Sequence, residues 1–307
     1  MGLLDRIALS TLPLVPTPLM RKLASRYIAG ERLDQAIERL AALGCEDHPG
    51  ILDILGEGIT SEAEAREVAR DYRAAAAKLR GTKIDAYVSV KPTHVGLSIS
   101  EDLAYELYAE IASEIEPHGQ FVRVEMEDHP TTDGTLRVFK KLRERFDNVG
   151  IVLQSRLFRT LDDIRAMPDV PLNVRLVKGI YLEPAEIAHT EAEPIRRAYV
   201  ECAKLLLDRP GFTAFATHDD GLAERCLAEV RERGLSKERY EFQVLLGVRE
   251  ALWEHWKSAG HTVRVYVPYG PQWRAYSQRR LRKNPNIFRH VLKDTLLPRK
   301  KTEFKPC

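Results

Sequence analysis

The sequence lacks most of the features that would place it outside ordinary globular enzymes. No apolar run is long enough to cross a bilayer, which would take ~20 predominantly apolar residues. The N-terminus shows no basic region followed by an apolar core, so no secretory signal is expected. Its four cysteines, Cys45, Cys202, Cys226 and Cys307, are scattered, with no Cys-x-x-Cys pair. That spacing offers no zinc framework and suits a reducing compartment. The histidines form no convergent set with other ligands, so no metal is expected. A formal net charge of only +2 argues against nucleic acid as the main partner. A glycine-rich phosphate turn after a first strand is also missing; Gly56-Glu57-Gly58 is a fragment of one, which counts against a doubly wound dinucleotide fold. No internal repeat or low-complexity segment stands out. The expected location is the cytoplasm.

What is present is an alternation. Residues 1–49 read as a helical arm: Leu3, Leu4, Ile7 and Ala8, then Leu19, Leu23 and Tyr27, then Leu33, Ile37, Leu40 and Leu43 each have helical spacing. Proline at 13, 16 and 18 interrupts the first of these, and Gly44 closes the last. From residue 50 to the end, short runs rich in β-branched and aromatic residues alternate with amphipathic helical patterns. The runs are 51–55, 86–91, 121–126, 149–154, 172–178, 213–217, 240–245 and 262–267. Ser61 with Glu64 has the spacing of a capping box before the first long helix. Eight strand–helix units are what an α/β fold of the (β/α)₈ TIM-like barrel type requires.

In such a barrel, polar residues at the C-terminal strand ends are the usual catalytic set. Here those positions hold Asp53, Lys91, Glu125, Glu127, Gln154, Arg175, Lys178, Thr217, His218, Gln243 and Tyr266. Charges of both signs at so many ends are costly to bury without a ligand to pair with them. They favour a large polar cofactor together with a small charged substrate. Singly, each has an ordinary alternative. Lys91 or Lys178 could form a Schiff base, as in a barrel lyase or aldolase, and Lys91 could instead simply pair with Glu125. A non-catalytic barrel that binds an anionic metabolite is a third reading. Gly179 would let backbone approach a ligand closely.

The stretch Arg264–Leu281 starts as a strand, turns at Pro268, Gly270 and Pro271, and continues as a helix. On that helix Tyr276, Arg279 and Arg280 share a side. Two guanidiniums beside a phenol make a poor core face and a good receptor for a small carboxylate. From Arg264 to the end there are twelve Lys or Arg against two acidic residues. The tail 299–305 is therefore a candidate for contact with an anionic membrane surface.

The motifs Val174-Arg175-Leu176-Val177-Lys178-Gly179-Ile180-Tyr181, Phe215-Ala216-Thr217-His218, Glu241-Phe242-Gln243, Arg264-Val265-Tyr266-Val267-Pro268 and Tyr276-Ser277-Gln278-Arg279-Arg280-Leu281 follow one another in order. Together they resemble the motif set of the proline dehydrogenases, the flavin-dependent first enzymes of proline catabolism. The similarity runs from about Asp53 to Asn286, and the helical arm is consistent with monofunctional bacterial members.

The resemblance implies a distorted barrel with non-covalent FAD at its C-terminal face. It implies oxidation of L-proline to Δ1-pyrroline-5-carboxylate by hydride transfer to flavin N5, with electrons passed on to quinone. By resemblance, Arg175 lies against the flavin, and Gln154, Lys178, Gly179, Tyr181, Thr217, His218, Gln243 and Asn286 join it in holding the cofactor. Arg279 and Arg280 take the proline carboxylate. Lys91, Glu125, Leu245, Tyr266 and Tyr276 complete the substrate pocket, with Lys91, Arg175 and Tyr266 closest to the chemistry. A quinone acceptor implies peripheral contact with the inner face of the cell membrane. Four features depart from the family pattern. Glu125 stands where Asp is common, Ile180 where Ala is common, and Lys283 where an acidic residue is common. The loop between Pro268 and Tyr276 is also slightly shorter than in bifunctional relatives. These bear on the substrate gate and on one adenosine contact.

Overall fold

Eight parallel strands close on themselves in the order β1-β2-β3-β4-β5-β6-β7-β8. They are β1 Gly50–Ile54, β2 Ala86–Val90, β3 Val122–Val124, β4 Val149–Gln154, β5 Leu172–Val177, β6 Gly211–Ala216, β7 Tyr240–Leu245 and β8 Val263–Tyr269. The structure, a computed structural model, describes residues 17–274 together with 276 and 277. The helices are α1 Thr17–Ala24, α2 Leu33–Cys45, α3 Glu62–Arg80, α4 Glu101–Ile115, α5 His129–Arg143, α6 Thr160–Arg165, α7 Ala192–Leu207, α8 Asp220–Glu232 and α9 Glu250–Ser258. Helices α3 to α9 follow β1 to β7 in turn, so the expected (β/α)₈ barrel is present. The expected first helix around Leu3–Ala8 lies outside the described residues. No described helix is long and apolar enough to cross a membrane.

Each strand forms where β-branched or aromatic residues run together between breakers, because such side chains pack well on a buried pleated wall. Val263 and Val265 of β8, for instance, point outward into the helical layer and are fully buried. β8 continues two residues past the expected turn, to Tyr269, and carries Pro268 inside it. The ladder with β7 has already ended at the Leu245–Tyr266 pair. The donor that proline lacks is therefore not missed on that side.

Around the barrel, helices bury one stripe and expose the other. α3 buries Ala65, Ala69, Tyr72, Ala76 and Leu79. Ser61 occupies its N-cap position, but its side chain makes no cap hydrogen bond. The capping box expected there is replaced by charge: Glu62 and Glu64 sit in the first turn and Lys78 and Arg80 in the last, complementing the helix dipole.

The arm is not set apart from the barrel. Ala36, Leu40 and Leu43 of α2 belong to the same continuous core as the barrel wall. α2 packs on β1 and β8 and seals the seam where the barrel closes. Gly50 permits this, since a Cβ there would lie 2.1 Å from Leu40 Cδ2. A smaller apolar cluster joins Met20, Ala24, Tyr27 and Ile28 to Leu55 and Trp273 at the C-terminal mouth.

Candidate active site

Alternation along each strand decides which side chains enter the barrel. Hydrogen bonds between strands that are not neighbours identify the interior set directly, because such bonds must cross the inside. Tyr266 of β8 donates to Glu125 Oε1 after β3 at 3.0 Å. Arg175 of β5 donates through Nη2 to Ser89 Oγ of β2 at 2.8 Å. Gln243 of β7 donates to the Tyr87 hydroxyl of β2 at 2.8 Å. The interior thus carries polar side chains along its length, with a cluster of charged groups toward each end.

At the C-terminal end the groups converge on Glu125. Its Oε1 accepts from Ser89 Oγ at 2.5 Å, Arg175 Nη1 at 2.9 Å and Tyr266 at 3.0 Å. Burial opposes charge on Glu125, yet Arg175, Lys91 and these hydroxyls hold its carboxyl below the usual range. Arg175 also lies with its Cζ 5.1 Å from the centre of the Tyr266 ring, a cation–π contact. Burial, then Asp53 and Glu125, push the Tyr266 phenol well above its ordinary value, so it is a neutral donor.

Lys91 does not pair with Glu125 as the sequence suggested. Its Nζ donates to Asp53 Oδ1 at 2.7 Å. Register explains the difference. Asp53 is paired with Ser89 across the β1–β2 ladder, which sets Lys91 just beyond the Asp53 carboxylate, while Arg175 occupies Glu125. Burial works against charge on Lys91, but Asp53 and Glu125 keep its ammonium above the ordinary lysine range. Asp53 is the less stable partner. Its burial outweighs Lys91 and pushes its carboxyl up to about 6. Asp53 Oδ2 and Arg175 Nε are buried with no partner among the described residues.

The residues expected to hold a cofactor cluster beyond β4, β5 and β6. Gln154 donates to the Glu127 carbonyl at 2.7 Å. Gly179 has φ +100°, and a Cβ there would lie 2.7 Å from Arg156 Cδ and 2.9 Å from Gln154 Oε1. Arg156 donates to the Tyr181 carbonyl. Lys178 donates to Asp219 Oδ2 at 2.5 Å, and Arg196 reaches the same oxygen at 2.7 Å. Although burial opposes it, those two cations pull the Asp219 carboxyl down to about 2. Thr217 Oγ1 accepts from Asp219 N at 3.1 Å, and His218 Nε2 accepts from Leu245 N at 2.9 Å. An accepting Nε2 assigns the neutral ring's proton to Nδ1.

Gln243 is placed differently. Its amide donates toward the other end, to Tyr87 and to Glu241 Oε1 at 2.5 Å. Tyr276 is half-buried on the first helical turn after β8, beside the cluster around Trp273. Arg279, Arg280 and Asn286 lie outside the described residues. The sequence reading had no role for Ser89, Asp219 or Arg196. Ser89 was findable, because it alternates with Tyr87 and Lys91 on one face of a strand.

A proline dehydrogenase family profile matches residues 36–288. The chain belongs to the proline dehydrogenase family. It is 36% identical over 282 residues to the proline dehydrogenase of Deinococcus radiodurans, covering 90% of this chain and 91% of that one. It is 33% identical over 273 residues to proline dehydrogenase 1 of Bacillus subtilis strain 168, covering 89% and 90%. The likeness therefore spans nearly the full length of these monofunctional relatives, and the enzyme is an oxidoreductase of proline. Among solved structures, proline utilization A from Bdellovibrio bacteriovorus superposes with a TM-score of 0.80 at 24% identity. That match covers 92% of this chain but 37% of the larger protein, and it establishes the fold.

Proposed function

We propose that the enzyme oxidises L-proline to Δ1-pyrroline-5-carboxylate with a non-covalently bound FAD, passing the electrons to a quinone. The observation that carries this reading is the buried C-terminal cluster, Asp53–Lys91 and Glu125–Arg175–Tyr266, with Asp53 Oδ2 and Arg175 Nε unpartnered. So many buried charges with spare hydrogen-bonding capacity suit a site completed by polar ligands.

The residues present fit a flavin. Gly179 leaves space that any side chain would fill, against Gln154 and Arg156. Lys178 and Arg196 supply cationic donors next to it, and Arg175 supplies a cation whose Nε is unused. Arg175, Gln154, Lys178, Gly179, Tyr181, Thr217 and His218 would hold the group, with Asn286 from beyond the described residues. A bound flavin supplies the two-electron acceptor, at N5, for the hydride from proline C5.

The protein's own work is orientation and proton handling. Arg279 and Arg280 take the carboxylate, while Lys91, Leu245, Tyr266 and Tyr276 shape the pocket around the ring. Oxidation removes a hydride from C5 and a proton from nitrogen. Asp53, with a carboxyl near 6 and a free Oδ2, is the group in this cluster suited to accept that proton near neutral pH. Glu125 is less suited, being held ionised by Arg175 and by hydrogen bonds from the Ser89 and Tyr266 hydroxyls. A Schiff-base role for Lys91 is disfavoured, because Asp53 stabilises the protonated amine that such chemistry must first discharge.

The visible spectrum of the purified protein tests the reading. A yellow protein, bleached by L-proline without oxygen and recoloured by a water-soluble quinone, is expected. A colourless protein that takes up no FAD, yet forms a borohydride-trapped adduct with an aldehyde, would replace it with the lyase.

A further inference from the structure

The barrel has a second polar chamber, at the end away from the proposed chemistry. A cavity of about 540 Å³ opens at the N-terminal mouth, bordered among others by Tyr87, Phe121, Arg123, Asn173, Glu241 and Arg264. Among the described residues four cations reach the barrel interior, and three have carboxylate partners there: Lys91 with Asp53, Arg175 with Glu125, and Arg264 with Glu241 at 2.9 Å. Arg264 is neutralised again at the rim by Asp85 at 3.1 Å.

Arg123 is the exception. It is 1% exposed, and its hydrogen bonds go only to neutral acceptors. Nη1 donates to the carbonyls of Ile151 at 3.2 Å and Asn173 at 2.7 Å, and Nη2 donates to Asn173 Oδ1 at 2.6 Å. The Phe121 and Tyr87 rings flank the guanidinium at 4.8 Å and 5.6 Å. Nε is buried with no partner. The surrounding chain is shaped to admit this group: a Cβ on Gly150 would lie 2.5 Å from Arg123 Nη1 and 2.5 Å from Phe121 Cζ. A buried cation costs several kcal/mol unless a counter-charge accompanies it; among the described residues no carboxylate forms an ion pair with the guanidinium, and Glu241, held by Arg264 at 2.9 Å, acts on it only at longer range. Burial lowers its proton affinity, and Arg175 acts in the same direction, while Tyr87 and Glu241 oppose the shift without cancelling it.

We propose that this chamber is a second ligand site, for a small carboxylate, with Arg123 as its anchor. Asn173 occupies the Nη1–Nη2 edge of the guanidinium. The Nε–Nη2 edge remains, and a planar carboxylate accepts from that edge through two parallel hydrogen bonds. The flanking rings favour a ligand with an apolar body behind the charged end. Nothing in this argument depends on the flavin or on proline binding, which lie at the other end of the barrel.

Calorimetric titration of the purified protein with benzoate and with acetate, at fixed ionic strength, tests it. Proline KM measured at the same concentrations separates the two ends: a ligand at the N-terminal mouth leaves KM unchanged, whereas one at the catalytic end raises it. The parent should show saturable binding without competition against proline, tighter for benzoate than acetate. Arg123→Met should weaken it at least tenfold while keeping cofactor content and kcat/KM. Asn173→Asp, nearly isosteric, places a carboxylate on the occupied edge and should weaken binding severalfold without removing the guanidinium, so the test does not depend on the Met variant folding. No saturable binding in the parent, binding that competes with proline, or equal affinity in the parent and Asn173→Asp would overturn the proposal.

Discussion

Replacing Glu125 with Gln keeps the shape of the central cluster and removes only its charge. A glutamine carbonyl can still accept from Ser89, Arg175 and Tyr266, whose donors lie 2.5–3.0 Å from Oε1. What is lost is the counter-ion of Arg175, a cation buried to 5% exposure. Removing one member of a buried pair costs about 3–5 kcal/mol. Asp53 is also close enough to stabilise Arg175, which argues for the lower figure, about 3 kcal/mol. Equilibrium urea unfolding should register that loss at neutral pH, with kcat/KM for proline reduced as well. The pH dependence follows from linkage. Glu125 is held below the usual range when folded, so its contribution is fully present above the unfolded value of ~4.3 and disappears as pH falls through the folded value. The difference between parent and Glu125→Gln should shrink in acid accordingly. Glu125→Leu combined with Arg175→Met should recover most of the stability while remaining inactive, since an apolar pair can replace a buried ionic one. A loss below about 1 kcal/mol for Glu125→Gln, with unchanged kinetics, would show that the pair carries neither stability nor catalysis.

Asp53→Asn should remove an acidic limb near pH 6 from the kcat/KM profile and lower its plateau, because the parent carboxyl there titrates at about 6; a limb that survives assigns the titration elsewhere. Folding linkage for this group has the opposite sign to Glu125: with its folded value raised, stability falls as pH rises from ~4 to about 6, and Asn should flatten that slope in urea unfolding. Gly179→Ala puts a methyl group against Arg156 and Gln154 at φ +100°; a strain of about 1–2 kcal/mol should appear mainly as weaker FAD retention, measured by absorbance after gel filtration. Asp219→Asn frees Lys178 and Arg196 and weakens the cap of α8, whose Leu222 N donates to Asp219 at 3.3 Å; a stability loss of about 1 kcal/mol with altered FAD affinity is expected. Arg279→Ala and Arg280→Ala should each lower kcat/KM for proline by about 10- to 150-fold with cofactor content unchanged, since a charge-assisted hydrogen bond contributes roughly 1.5–3 kcal/mol. Parental kinetics in both would remove the carboxylate assignment.

The barrel was legible because every strand is a short run rich in β-branched, aromatic or other apolar residues between breakers, a signal that survives without knowing the neighbours even where a charged residue interrupts it. Strand ends were less so. β6 begins two residues earlier, at Gly211, where φ is +133°, and β8 runs through a proline. Both outcomes depend on what the adjacent strand does. The position of α2 was not legible, since a helix that seals the β1–β8 seam reads locally like any arm. Among site residues, the sequence brought the right charges to the right end but could not pair them. Asp53 and Glu125 are equally plausible partners for Lys91 by composition, and only the Asp53–Ser89 register on the β1–β2 ladder, with Arg175 already held by Glu125, separates them. Gln243 is a cofactor residue by the family resemblance; its amide nitrogen meets Tyr87 and Glu241 below, a pairing across the barrel that local sequence does not reveal, while its Oε1 is left without a partner among the described residues.

The distribution of charge inside the barrel argues that its two ends are under different demands. An apolar interior would fold at least as well, because a buried ion pair gains little over packed hydrocarbon of the same volume. At the C-terminal end the charges are paired but not saturated: Asp53 Oδ2 and Arg175 Nε have spare capacity, which a substrate and cofactor can use. At the N-terminal end Arg264 is saturated twice over, by Glu241 and Asp85, while Arg123, on the opposite wall, has no carboxylate in contact among the described residues and feels Glu241 only at longer range. Arg264 already satisfies Glu241, so Arg123 is not needed to neutralise the acid there. Its cost is therefore not repaid by any pair within that chamber, although Gly150, Phe121 and Asn173 are all arranged around it. Stability alone accounts for Arg264 but not for Arg123, and that asymmetry separates a structural ion pair from a group that awaits a ligand.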